Sequence, residues 1–323
     1  MLPIEMARGA RKIVEQNIGL RPGERVLIVT DTGRDFTIAT ALAAAVDAAG
    51  GEFSIILTRP LSKPGDEPPA PVAQAMTAAD VVIAPTSRTI FHTRATIRAT
   101  KEYGTRVFTL SEARPDTLIT GLIECDFLKQ KPLVDALAAR MAEGKSIRIT
   151  SPAGTDLHAS IEGRLPVANP AICHNPGEKM GASVEVYIAP VEGTTEGVFV
   201  CDASSSMIGL VREPIKIEVK GGKAVSISGG AEARRLREII EGVGHPDADN
   251  IAEIAFGLNP KARLIGNIIE DEGKYGTGHV ALGNNEGFGG VSKAPIHIDM
   301  VYWKPTAWID GQMVFKDGEL IIR

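Results

Sequence analysis

The stretch RVLIVTDTGRDFTIATALAAAVDAAGGEFSIILT, residues 25–58, decides how the first half of the chain is read. Arg25–Thr30 is a short apolar run behind the turn Arg21-Pro22-Gly23, the pattern of a buried strand. Asp35–Ala49 is alanine-rich and stops at Gly50-Gly51, which predicts a helix with a glycine end. Phe53–Thr58 predicts the next strand. Strands joined through a helix run parallel, because an antiparallel neighbour needs only a tight turn. The alternation continues outward from this unit. Ala70–Ala79 reads as a helix, Val81–Ala84 as a strand, and His92–Tyr103 as a helix stopping at Gly104. Arg106–Leu110 is a fourth strand and Pro132–Glu143 a helix that ends at Gly144. Upstream, MLPIEMARGARKIVEQ reads as an amphipathic first helix. The expectation is a parallel sheet covered by helices on both faces.

The second half changes character. Ser146–Thr150 and Leu157–Ile161 read as paired strands around Gly154. Lys216–Val219 and Ala224–Ile227 flank Gly221-Gly222, a hairpin signal. Ala231–Glu241 is one helix. Ala307–Ile309 and Met313–Phe315 flank Asp310-Gly311, and Asp317-Gly318 precedes a last strand, Glu319–Ile322. The fold class is therefore α/β, with an N-terminal parallel-sheet α/β domain over residues 1–145. An α+β domain rich in antiparallel strands follows over residues 146–323. There is no internal repeat; Lys63–Pro71 is the most loop-like stretch.

Composition narrows the function. The 35 Lys and Arg against 40 Asp and Glu leave a net charge of −5, the wrong sign for gripping a phosphate backbone. Aromatics make up 5%, too few for a stacking platform, so no nucleic-acid partner is expected. No apolar run is long enough to span a bilayer, and the N-terminal stretch lacks a signal peptide's apolar core. Cys125, Cys173 and Cys201 form neither a disulfide framework nor a zinc knuckle. The expectation is a cytoplasmic protein acting on a small molecule or short peptide, with no membrane partner.

The first domain offers little chemistry: no GxGxxG follows its first strand, and it has no Walker lysine and no GxSxG. The second offers isolated polar groups in apolar strands. In APIHIDM, His297 and Asp299 are two apart and share one face of a strand. They suit either a chelate or a buried ion pair. Glu185 is the lone charge of VEVYIA, a metal ligand or a water-facing residue of an edge strand; Glu253 is that of NIAEIAF, a metal ligand or part of a solvated face at a helix start. His279 begins a small-residue strand behind the loop DEGKYGTG. Together, two histidines and three carboxylates with no cysteine suit Zn, Co, Mn or Fe(II). Five ligands suit two ions better than one.

The ordered set AGTDLHASIEGR (Ala153–Arg164), VEVYIAPVEGTTEGVFV (Val184–Val200), AEIAFGLNP (Ala252–Pro260), DEGKYGTGHVALG (Asp271–Gly283) and IHIDMV (Ile296–Val301) resembles the aminopeptidase T and aminopeptidase S family of dinuclear metallopeptidases. The resemblance implies metal ligands at Glu185, Glu253, His279, His297 and Asp299. Glu272, in the family's DE pair, would be a ligand or the general base. A Tyr that the family usually carries after its ALG run is absent from NNEGFGG, Asn284–Gly290. A second resemblance is to 2,5-dihydroxypyridine 5,6-dioxygenase, a mononuclear Fe(II) enzyme of the same fold. Its iron site has a His where this chain has Glu253, and it lacks counterparts of Glu185 and His279. A first-domain His of that enzyme resembles His92 in TIFHT. His92, with Ser87 and Arg88, is thus a candidate substrate contact between the domains. His174 and His245 lie in turn-like loops and read as structural.

These observations lead to an expected metal-dependent hydrolase of amide or peptide bonds, and the aminopeptidase resemblance implies a homodimer. Two divalent ions would activate water, and Glu272 would move its proton. The alternative is Fe(II)-dependent ring cleavage of a hydroxylated N-heterocycle. Glu253 and the five-ligand count favour the first reading.

Overall fold

The computed structural model describes residues 3–63 and 65–322. The first two residues of the expected opening helix, Pro64 of the expected loop and the C-terminal Arg323 lie outside them. The chain divides into two compact units: residues up to Lys131 with Asn169–Ser183, and Pro132–Ala168 with everything from Val184 onward. Among the described residues no helix is long and apolar enough to cross a membrane.

The first unit holds a five-stranded parallel sheet in the order Glu52–Thr58, Arg25–Asp31, Val81–Ala84, Arg106–Thr109, Lys179–Gly181. Local signals fix its helices. Asp35 caps the Phe36–Ala48 helix by accepting from Thr37 N at 3.0 Å. Gly104 ends the Arg94–Tyr103 helix in the left-handed conformation, φ +70°. Thr93 caps the N-terminus of that helix, so it starts after His92 and leaves that residue in the preceding turn. Arg106 is a charge inside a buried strand, and its environment explains it. The guanidinium donates to the Ile18 carbonyl at 2.6 Å and pairs with Glu24 at 2.5 Å. The fifth strand is supplied by a segment far along the chain. Three residues are too short a run to announce a strand; it forms because the Arg106–Thr109 strand leaves it an edge to pair with.

One helix differs from the sequence expectation. It spans Phe127–Ala142 and carries Pro132 inside it rather than at its start. A proline suits the first helical turn, and Pro132 was read that way; here the helix extends a further turn upstream.

The second unit is built from two antiparallel sheets. One has eight strands and includes Ser146–Thr150, Asp156–Ser160, Glu196–Cys201 and the hairpin of Ile215–Lys220 with Lys223–Ser228. The other has seven. At its centre lie His297–Trp303, Thr277–Gly283, Ile251–Gly257 and Glu185–Ile188, each antiparallel to the next. The sheets meet through aromatic pairs. Phe256 stacks on Phe315 at 4.5 Å, and Phe199 meets Tyr302 edge-on at 5.5 Å. Gly278 makes room for Tyr302, since a Cβ there would press on its ring. Strand alternation then sends the odd-numbered neighbours of these residues to the opposite face.

Candidate metal centre

That opposite face carries the polar residues. The strand register sets Glu253 beside Ala281 and Ala281 beside Asp299. It sets His279 beside Ala255 and Ala255 beside Tyr187, with Glu185 opposite Gly257 and His297 opposite Gly283. Charged side chains thus alternate with Ala and Gly, which leave them room to converge. Gly283 also has φ +105°, and a Cβ there would run into the Ile296 carbonyl.

The five expected ligands are brought together. His297 Nε2 lies 3.0 Å from Asp299 Oδ1 and 3.5 Å from Glu253 Oε2. His279 Nε2 lies 3.1 Å from Glu253 Oε1 and 3.8 Å from Glu185 Oε2. One donor atom from each of Glu253, His297 and Asp299 falls within 4.8 Å of the others. Glu185, Glu253 and His279 are buried, while the His297 side chain is 32% exposed. His297 Nδ1 donates to the Asn284 carbonyl at 2.7 Å. That bond keeps the proton on Nδ1 and turns Nε2 toward Asp299 and Glu253, as a second hydrogen bond commonly orients a metal-binding imidazole.

The electrostatics follow from the crowding. Burial pushes the His297 pKa down, but the charge and hydrogen bond of Asp299, with Glu253, raise it to about 10. Burial likewise opposes the proton on His279, and the hydrogen bond and charges of Glu253 and Glu185 lift it to about 9. Burial raises Asp299, yet the charge and hydrogen bond of His297 hold it at about 2. Three carboxylates face two imidazoles. Hard oxygen donors beside imidazole nitrogens fit a divalent cation.

Other expected residues lie elsewhere. Glu272 follows the Ile268–Asp271 helical turn and stands outside the Glu253–His297–Asp299 cluster, although its charge reaches Tyr187. Asp271 beside it is buried, and its carboxylate accepts from Ile265 N at 2.7 Å. In the first unit, Ser87 is buried and donates through N and Oγ to Asp31 at 2.6 and 2.5 Å. Its Oγ also accepts from Arg34 Nε at 3.2 Å, so the hydroxyl is already committed. Arg88 lies 3.8 Å from Glu112, and His92 is exposed beside Phe91. His174 and His245 have structural partners, the Gln16 carbonyl at 2.7 Å and the Asp247 amide at 3.1 Å.

Two aromatic residues at the centre escape a search for ligands. Tyr187 shares the face of Glu185 by the two-residue strand period, a signal present in VEVYIA. Burial, then the charges of Glu253, Glu185, Glu272 and Asp299, push its pKa far up and keep the hydroxyl neutral. Phe288 reaches the site from an irregular loop, and no sequence period announces it.

Fold and site together define a two-unit α/β protein whose antiparallel sheet presents a candidate divalent-metal cluster. A family profile described as NicX, 2,5-dihydroxypyridine 5,6-dioxygenase, matches residues 11–322, and the chain belongs to that family. A 2,5-dihydroxypyridine 5,6-dioxygenase of Pseudomonas putida KT2440 is 26% identical over 231 residues, 68% of this chain. That match spans 65% of the relative's length, just under two thirds. The solved 2,5-dihydroxypyridine dioxygenase of Pseudomonas putida KT2440 is similar along 100% of this chain and 99% of its own, with TM-score 0.86 and 20% identity. Wild-type AmpT of Thermus thermophilus is similar over 99% of both chains, with TM-score 0.72 and 14% identity. At these identities both structures speak to the fold alone.

The family membership corrects the hydrolase expectation, and with it the metallopeptidase and aminopeptidase assignments. The reason is structural. The segments that suggested a peptidase are largely strands of the two antiparallel sheets, and this chain is similar in fold to both AmpT and the dioxygenase. Motifs that report the scaffold do not separate two chemistries performed on it.

Proposed function

We propose that this chain is a divalent-metal-dependent dioxygenase that opens the ring of a hydroxylated N-heterocycle. The observation that carries the reading is the family match across residues 11–322. The clustered Glu253, His297 and Asp299 support it by offering a donor set of the right hardness.

In this reading Glu253, His297 and Asp299 hold the metal. Glu185 and His279 adjoin them and complete a set large enough for a second ion. Iron(II) bound there would supply oxygen activation. The chain's own groups do the rest. The Asn284 carbonyl keeps His297 facing the cluster, and Asp299 and Glu253 balance cationic charge. Tyr187 offers a neutral hydroxyl. Glu272 is assigned the proton transfer from a ring hydroxyl: of the carboxylates whose charge is felt at Tyr187, it is the one outside the five grouped residues Glu185, Glu253, His279, His297 and Asp299.

The test is oxygen uptake by protein reconstituted with Fe(II), Zn(II), Co(II) or Mn(II), with 2,5-dihydroxypyridine as substrate. The expected result is one O2 consumed per ring opened, with Fe(II) only. Turnover that persists under strict anaerobiosis, or no uptake with any metal, overturns the proposal.

A further inference from the structure

An aromatic corner borders the metal cluster, and the sheet ladder does not require it. Tyr187 stands on the cluster's face of the sheet, with the small Ala255 across from it on the Ile251–Gly257 strand. Its ring meets Phe288 edge-to-face, 5.3 Å between centroids at 86°. Phe288 in turn meets the His297 ring at 5.9 Å and 90°. The rings therefore form a continuous line from a buried strand, through a loop, to a residue of the cluster.

Phe288 sits in a single helical turn, Glu286–Phe288, within otherwise irregular chain. Ordering a large apolar side chain on such a segment costs conformational entropy. The structure meets that cost with a dedicated clamp. Glu192 Oε1 accepts from Asn285 Nδ2 at 2.9 Å and from Val291 N at 2.8 Å, one on each side of Phe288. The Glu192 carboxylate also pairs with Arg164, and Arg164 donates to the Gly289 carbonyl. Asn285 is buried and accepts from Ser292 N at 2.9 Å, closing the loop on itself. Three points of the loop around Phe288 are thus tied to one acid–base pair.

We infer that Phe288 and Tyr187 are specificity-determining residues that recognise a flat ring beside the metal cluster, held in place by the Glu192–Arg164 clamp. An aromatic pair prefers offset-stacked or edge-to-face contact at centroid distances of ~4.5–7 Å, and a planar ligand can extend this line where a puckered one cannot. The inference rests on the ring-cleaving reading only for which ring is bound; the wall selects planarity.

The test is calorimetric binding to the full chain with saturating Zn(II), so that no turnover intervenes. The probes are 2,5-dihydroxypyridine against a dihydroxypiperidine, and catechol against 1,2-cyclohexanediol. Wild type should prefer the flat member of at least one pair by about tenfold or more. Phe288→Leu and Tyr187→Leu should each reduce that preference about 3- to 10-fold, the range of one aromatic pair, with the saturated member moving less than about twofold. Phe288→Tyr should keep the preference, and Arg164→Ala should weaken it with zinc affinity unchanged. Zinc affinity also reports folding. Should Tyr187→Leu fail to fold, Phe288→Leu alone decides, because its side chain lies on a half-exposed loop. Equal binding of flat and saturated probes by wild type, or full preference in Phe288→Leu, overturns the inference. Preference for catechol with rejection of dihydroxypyridine upholds the wall and sinks the dihydroxypyridine reading instead.

Discussion

Raising the pH should tighten metal binding, and the slope should count the histidines that ligate. In the metal-free protein His297 titrates at about 10 and His279 at about 9, while Asp299 titrates at about 2. Between pH 6 and 8 both imidazoles therefore carry protons and Asp299 carries none. An imidazole must lose its Nε2 proton before that nitrogen binds a cation, so each ligating histidine releases one proton. Each released proton makes affinity rise about tenfold per pH unit, or ~1.4 kcal/mol. The sign is fixed: affinity grows with pH and levels off only above the metal-free pKa values. If Glu253, His297 and Asp299 alone hold the ion, affinity should rise about 100-fold from pH 6 to 8. If His279 also ligates, the rise should approach 10,000-fold over the same interval. Competition against a chelator of known pH behaviour measures the slope. Calorimetry in buffers of different ionisation enthalpy counts the protons independently. An affinity that stays flat from pH 6 to 8 would refute both the raised imidazole pKa values and the assignment of these residues to the metal.

Three further outcomes are expected. His297→Ala and Asp299→Ala should each abolish the stabilisation that metal confers, ~2.7 kcal/mol at a hundredfold excess over Kd, while cooperative unfolding of the metal-free protein persists; a variant whose melting temperature still responds to metal like wild type shows the pair to be structural. Gly283→Ala should destabilise the fold by ~1–3 kcal/mol in urea titration, because the residue holds φ +105° against the Ile296 carbonyl; an unchanged midpoint contradicts the strain. Lys179 titrates at about 8 rather than 10.5, chiefly through burial and then through Lys101. The unfolded chain binds the extra proton between those values, so wild-type stability should gain relative to Lys179→Met as pH rises from 8 toward 10.5; a constant difference across that range would contradict the depressed pKa.

Much of the first unit is written locally. The βαβ rhythm of residues 25–58, the Asp35 cap and the Gly104 stop are each set by residues within a few positions, and the structure has them there. Strand parity is equally local: His297 and Asp299 share a face because alternate side chains do. The same parity pointed to Tyr187 beside Glu185, although a search for ligands passes over a tyrosine. The choice of reaction was not legible, since the ligand-bearing segments report a sheet that similar folds share.

The sequence alone determined most strands and helices of the first unit, and that His297 and Asp299 turn their side chains the same way. Only tertiary structure decided that Lys179–Gly181 joins the first sheet, that Asp271 is buried, and that Phe288 is clamped against His297. Only the register of three strands set Ala281 between Glu253 and Asp299 and so let them converge on His297. The division has a physical cause. Caps and periodicity act over one or two turns of chain, whereas ladder pairing and burial join residues more than a hundred positions apart, and each strand's partner is settled only when the others are in place.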